Sequence, residues 1–148
     1  MPTSTRFVVA VHILTGLAVS GGKPMRSEDL AYSANTSAVV IRGLLSRLAE
    51  AGLTKSQLGT GGGTMLQKPA GEIRLLDVYE AVEDTELFSL HRTPPCENCA
   101  VGGNIIAALQ PSLTRARAAL EQELASVTIA DVAADVAKLG NFSIPLAW

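Results

Sequence analysis

Between Val40 and Leu48 the apolar residues Val40, Ile41, Leu44, Leu45 and Leu48 recur at i, i+4, i+8 spacing, with Val39, Arg42, Ser46 and Glu50 on the opposite face. This predicts a helix capped by Thr36 or Ser37, running to about Ala51 and closed by Gly52. A shorter helix precedes it, from about Glu28 to Ala34, with Ser27 as N-cap and Leu30 and Ala31 facing inward. Glu28 and Asp29 sit in its first turn, where the helix dipole favours negative charge. Asn35-Thr36 breaks the two apart, because Asn tolerates left-handed backbone. Downstream, Leu53 to Gln57 and Thr64 to Gln67 can pair as a hairpin around Leu58-Gly59-Thr60-Gly61-Gly62-Gly63. Helix, tight turn, helix and hairpin, in that order, are the parts of a winged helix-turn-helix.

Earlier in the chain, Phe7, Ala10, Val11, Leu14, Leu17 and Ala18 share one face of a helix from about Arg6 to Val19, which Thr3-Ser4-Thr5 can cap. A single basic residue and the interruptions at His12, Thr15 and Gly16 argue against a secretory leader. No run reaches the roughly 18 apolar residues that a membrane span needs. His12 reads as a half-buried core or interface histidine. After the hairpin, Ile73 is expected to make a brief edge contact. A helix from Leu75 to Asp84 then packs through Leu76, Tyr79, Ala81 and Val82.

The longest helical pattern spans Val101 to Val127. There Ile105, Leu109, Leu113, Ala116, Leu120, Leu124 and Val127 step by four and three, a heptad-like seam that suits either a second copy of the same helix or the core of one chain. Pro111 is expected to kink this helix or start its second part. Thr128 to Asp131 is a capping-box start for a last helix, stopped by Gly140, with Ile129, Val132, Ala133 and Val136 inside. Trp148 either packs on a partner or hangs free.

With 148 residues and 4% aromatic content, the chain is one domain's worth with an aliphatic core, which favours a mainly α fold. The net charge of −2 hides a split. Residues 1–68 carry seven basic and three acidic side chains, and residues 69–148 carry five and eleven. The positive half is the half with the helix-turn-helix and wing, as phosphate attraction requires. On the outer face of the second helix, Arg42 can reach guanine O6 and N7 or a phosphate. Val39 and Ser37 can meet a thymine methyl or a base edge. Arg47 and Lys55 are candidate phosphate contacts, and Thr60, Gly61 and Gly62 offer main-chain N–H groups at the wing. Taken singly, the helix is also an ordinary amphipathic helix and the wing also a flexible tip. A phosphate-binding loop of the Walker type is a weak match, since it needs Gly-Lys-Ser/Thr at its end and Gly63 is followed by Thr64-Met65. A dinucleotide fingerprint fails at Thr64 and lacks a following helix. No nucleophile–base pair or paired-carboxylate pattern stands out, so an enzyme is not expected.

Leu87 to His91 is an apolar patch leading into a loop that Pro94 and Pro95 keep out of helix. Cys96 and Cys99 in that loop are the only two cysteines of the chain. Three readings fit them: inert loop thiols, a thiol–disulfide switch, or part of a metal site to which His91 adds a ligand. Two cysteines fall short of the four ligands that zinc or an iron–sulfur cluster takes, so neither cofactor is favoured.

The helix-turn-helix followed by EAGLTKSQLGTGGGTMLQKP and then EIRLLDVYEAVE resembles the Rrf2 family of winged-helix regulators, and within it the YwnA-like branch, from about Thr3 to Val136. The resemblance implies a winged helix-turn-helix over residues 1–84, an effector loop over 85–100 and a dimerisation helix with a C-terminal helix over 101–148, packed as one unit. It also implies a cytoplasmic homodimer that binds double-stranded DNA at a palindromic operator and represses transcription. Ile105, Leu109, Leu113, Leu120 and Leu124 become the dimer seam, and Thr3 and Ser4 weak phosphate contacts. Cluster-bearing relatives supply three cysteines from the loop; this chain has two. The pattern usually has Ser or Thr before LLDV; with Arg74 there, either the cap is lost or Asp77 compensates. Leu58 replaces a usual Arg and Thr64 a usual aromatic residue. These departures motivate the alternative of a thiol or metal sensor, or a protein adaptor, on a winged-helix scaffold.

Overall fold

The computed structural model describes residues 4–84 and 86–146. Thr3, a phosphate-contact candidate, and Trp148, expected to pack on a partner or hang free, lie outside those residues. Six helices and one hairpin follow in order: α1 Arg6–Val19, α2 Ser27–Ala34, α3 Ala38–Glu50, β1 Thr54–Gln57, β2 Gly63–Leu66, α4 Leu75–Val82, α5 Ile105–Ser126 and α6 Ile129–Gly140. The fold is the mainly α winged helix-turn-helix that the hydrophobic pattern predicts.

Helix α1 is the hub, touching α2, α3, α4, α6 and β2. Its Ala10, Ile13, Leu14 and Leu17 meet Leu30, Ile41, Leu44, Leu48, Leu53, Ile73, Val78, Val82 and Ile129 in one aliphatic core. Ile13 and Val78, absent from the predicted faces, are fully buried, while Phe7 and Leu76 are only half-buried. Nearly every position of α1 is apolar, so periodicity alone does not choose its inner face.

Several helix ends differ from expectation for identifiable reasons. The start of α1 is capped both by Ser4, as expected, and by a distant carboxylate: Arg6 N–H donates to Ser4 Oγ at 3.2 Å, Phe7 N–H donates to Glu83 Oε1 at 3.1 Å, and Ser4 Oγ donates to the same oxygen at 2.7 Å. A carboxylate there also complements the helix dipole. Arg6 pairs with Glu83 at 3.5 Å and Asp84 at 3.8 Å. The N-cap of α2 is Arg26, one residue before the expected Ser27. Helix α4 ends at Val82, which frees Glu83 for the capping role.

At the start of α4 the Arg74 N–H donates to Asp77 Oδ2 at 2.9 Å, and the Arg74 guanidinium pairs with Asp77 Oδ1 at 2.8 Å. A guanidinium has no acceptor, so Asp77 alone does the capping. The hydrogen bond from the Arg74 side chain holds the Asp77 carboxyl below its usual range. Helix α5 runs as one assigned helix through Pro111, so the proline does not start a separate helix. Pro111 and Ala107, whose carbonyl the ring would crowd, are both exposed, so solvent can satisfy that carbonyl. Helix α6 retains Gly140 and stops at Asn141, which adopts φ 54°.

The hairpin is antiparallel with Thr54 opposite Leu66 and Lys55 opposite Met65. A third segment joins it. Met25 N–H donates to the Thr64 carbonyl at 2.9 Å, and Thr64 N–H to that of Met25 at 2.8 Å. This bridge ties the wing to the segment entering α2. Gly63 is required there, because a Cβ would strike the Met25 main chain. Ile73 does make its edge contact: its carbonyl accepts from Ile129 N–H at 2.8 Å, beside a bridge between Arg74 and Thr128. Helix α6 returns from there to pack on α1.

Candidate nucleic-acid interface

Asn35, with φ 53°, turns the chain between α2 and α3 in the left-handed conformation its side chain tolerates. Ser37 then caps α3, its Oγ accepting from Val40 N–H at 3.2 Å. The hydroxyl hydrogen remains free to donate outward. Ile41, Leu44, Leu45 and Leu48 anchor the helix in the core, and this fixes which residues face away from it.

The outward residues are Val39, which is 71% exposed, Arg42, Gly43 and Ser46. Val40, expected in the core, is 46% exposed and joins the edge of this face, because the core ends at Ile41. A shallow cleft of about 320 Å³ is lined by Arg42, Ser46 and Ala49 of α3, Ser27 of α2 and Thr54, Ser56 and Thr64 of the wing. The outer face of α3 and the wing therefore border one surface. Arg42 lies in it, its Nη1 3.6 Å from Glu28 Oε1 in an exposed pair. Such a pair contributes little to stability and opens readily.

At the wing, Lys55, Thr60 and Gly61 are exposed and Gly62 is half-buried. Gly59 and Gly61 adopt φ 93° and 77°, the positive values the sequence suggests. Leu58 stands 92% exposed at the tip, and Thr64 is buried under the Met25 bridge. Arg47 has a partner inside the chain: its Nη1 donates to the Val82 carbonyl at 3.1 Å, tying α3 to the end of α4. Ser4 is likewise engaged with Glu83.

Gly43 escaped the sequence reading. It lies between Arg42 and Leu44 on α3, and a Cβ built on it meets nothing within 4 Å. No packing within the chain explains a glycine there, and glycine in a helix interior costs about 1 kcal/mol relative to alanine. A bare patch beside Arg42 would admit close approach of a groove wall. Gly43→Ala should therefore raise unfolding stability by about 0.5–1 kcal/mol while weakening DNA binding. Chemical denaturation and a binding titration on the same variant check this; higher stability with unchanged binding would show that the bare patch serves no contact.

The loop cysteines are both free and exposed. His91 lines a separate cleft of about 460 Å³ between residues 86–91 and Gln110, Leu113, Thr114 and Arg117 of α5. Among the described residues no group of three or more His, Cys, Asp or Glu side chains is placed to hold a metal ion. Two thiols in one turn do not make the donor set of an iron–sulfur cluster. His12 is exposed rather than half-buried, its Nε2 2.8 Å from Ser33 Oγ of α2. No side chain of α5 is fully buried. Along its seam Ile105, Leu113, Leu120 and Leu124 are half-buried, partly by α4, and Leu109 is 44% exposed. No helix among the described residues is long and apolar enough to cross a membrane.

Residues 3–135 match the family described as Rrf2, iron-dependent transcriptional regulator. The chain is 38% identical over 130 residues to YwnA of Bacillus subtilis (strain 168), named as an HTH-type transcriptional regulator; the match covers 87% of this chain and 95% of YwnA. Among solved structures it superposes on CymR, the global cysteine regulator of B. subtilis, with a TM-score of 0.69 at 25% identity, covering 90% of this chain and 97% of CymR. The CymR of Staphylococcus aureus gives a TM-score of 0.68 at 27% identity, covering 88% and 96%.

Proposed function

Because the chain belongs to the Rrf2 family of DNA-binding transcriptional regulators, a family without enzymatic activity, we propose that it acts as a homodimeric repressor on a roughly palindromic operator. Each subunit lays α3 in a major groove and its wing along the adjacent backbone. The observation that carries this reading is the outward face of α3, which exposes a valine, an arginine and a bare glycine and whose Arg42 and Ser46 line the same cleft as Thr54, Ser56 and Thr64 of the wing. An apolar side chain and an arginine together read a thymine methyl and a guanine edge. Lys55 supplies charge to a phosphate, Thr60, Gly61 and Gly62 supply hydroxyl and main-chain donors, and Ser37 offers its hydroxyl hydrogen. Arg47 reaches a phosphate only through the guanidinium nitrogens not engaged with Val82.

Helix α5 supports the pairing. It has 22 residues, none fully buried, and an apolar seam that α4 covers in part. Two copies joined there by a two-fold axis would present two α3 helices to inverted half-sites, one helical turn or a multiple apart. The regulator would work in the cytoplasm, alongside the chromosome. The same reading takes its signal through Cys96 and Cys99 as thiols, without an iron–sulfur or zinc group. Leu58, the exposed apolar residue at the wing tip, favours a second reading in which the wing docks on a protein and DNA is held weakly.

Selection of bound duplexes from a randomised pool at physiological salt tests the proposal. It should enrich an inverted repeat; enrichment of nothing, or of a single unrepeated half-site, would overturn it. Lys55→Ala should weaken binding to all duplexes alike and reduce the slope of log affinity against log salt by about 1. A loss confined to the selected sequence, at unchanged slope, would contradict a phosphate contact.

A further inference from the structure

The turn that leads into α5 brings the two cysteines together. Cys99 N–H donates to the Cys96 carbonyl at 3.4 Å, so the pair sits at the two ends of a four-residue turn. Such a turn holds its end Cα atoms within about 7 Å, and a disulfide bridges Cα atoms about 4.4–6.8 Å apart. Both thiols are free and exposed.

Their surroundings differ. The main-chain N–H groups of Gly102 and Val101 donate to the Cys99 sulfur and hold its thiol below the usual range. The compactness of this arrangement depends on glycine. A Cβ at Gly102 would strike the Cys96 main chain, and one at Gly103 would strike the Glu97 carbonyl and crowd that of Cys99. Gly103 N–H donates to the Cys99 carbonyl at 2.8 Å, Asn104 N–H to that of Val101 at 3.1 Å, and α5 begins at the next residue.

We propose that Cys99 and Cys96 form a hydroperoxide-reactive thiol pair, with Cys99 the attacking sulfur, Cys96 the resolving one, and an intramolecular disulfide the product. The Cys99 thiolate attacks the distal oxygen of a hydroperoxide. An S–O bond forms, the O–O bond breaks, and the leaving alkoxide or hydroxide takes a proton from water. The Cys96 thiol then attacks the Cys99 sulfenic acid. An S–S bond forms, the S–O bond breaks, and the departing hydroxide leaves as water with the proton lost by Cys96. In sum, two thiols and one hydroperoxide give one disulfide, one alcohol or water, and one further water. Only the regulatory meaning of this chemistry rests on the proposed function. The closed ring would pull on residues 101–104, the lead-in to the helix on which the dimer depends.

The test uses the full chain and hydrogen peroxide. One equivalent should lower the intact mass by 2 Da, with Cys96 and Cys99 joined in the peptide map. Cys96→Ser should accumulate a dimedone-trappable sulfenic acid at Cys99, and Cys99→Ser should leave Cys96 unmodified by the same dose. In the reduced protein at neutral pH, iodoacetamide should label Cys99 roughly tenfold faster than Cys96. Equal labelling rates, sulfenic acid at Cys96, or no mass loss would overturn the assignment. Duplex selection is a separate readout. Disulfide formation without an enriched operator would refute the DNA reading and keep the thiol site, and the converse would refute the thiol site alone.

Discussion

Leu109→Asp should break the proposed homodimer and lower affinity for the selected duplex by roughly 10²–10⁴-fold, the range lost when two linked half-site contacts become independent. Leu109 is the most exposed large residue of the α5 seam, so the carboxylate costs the isolated subunit little. At a two-fold contact between α5 helices, the same carboxylate meets apolar surface and its own copy, and burying an unpaired charge costs several kcal/mol. Sedimentation velocity reads the mass change, fluorescence anisotropy reads the affinity, and circular dichroism verifies that helix content is retained. A variant that stays dimeric would place the subunit contact elsewhere.

Arg42→Ala should weaken binding to the selected duplex by about 1–3 kcal/mol, or roughly five- to 150-fold. The loss should concentrate on one base pair of each half-site, so that a duplex altered there binds wild type and variant alike. Glu28 supplies the control. It pairs with Arg42 across 3.6 Å at the protein surface, and it carries a charge that phosphates repel. Glu28→Gln should therefore tighten binding to all duplexes, most at low salt, leaving sequence preference intact. A uniform loss from Arg42→Ala would make this arginine a phosphate contact. No loss at all would remove it from the interface.

The parts of this molecule that were legible in the sequence are those specified within a few residues of themselves. The span of α1, the left-handed Asn35, the Ser37 cap and the glycine tip of the wing each follow from local chemistry. Val39 and Arg42 could be placed outward because Ile41, Leu44, Leu45 and Leu48 settle the inner face of α3. What escaped depends on distant partners. Glu83 caps α1 from 76 residues away, and Met25 bridges to Thr64 as a single residue with no pattern to announce it. Arg47 reads as a surface cation until Val82 is seen beside it. Gly43 belongs to no pattern in the sequence, and only the empty space around it draws notice to it. The closeness of Cys96 and Cys99 was legible from their spacing, but the donors that single out Cys99 come from the fold of residues 101 and 102.

Methylation interference on the selected duplex tests the central claim most directly, because N7 of guanine lies in the major groove and N3 of adenine in the minor groove. Two groups of guanines related by a two-fold axis, one helical turn or a multiple apart, should lose binding when methylated at N7. Tight binding with interference only at adenine N3, or with interference in a single unpaired group, would contradict the insertion of two α3 helices into successive major grooves.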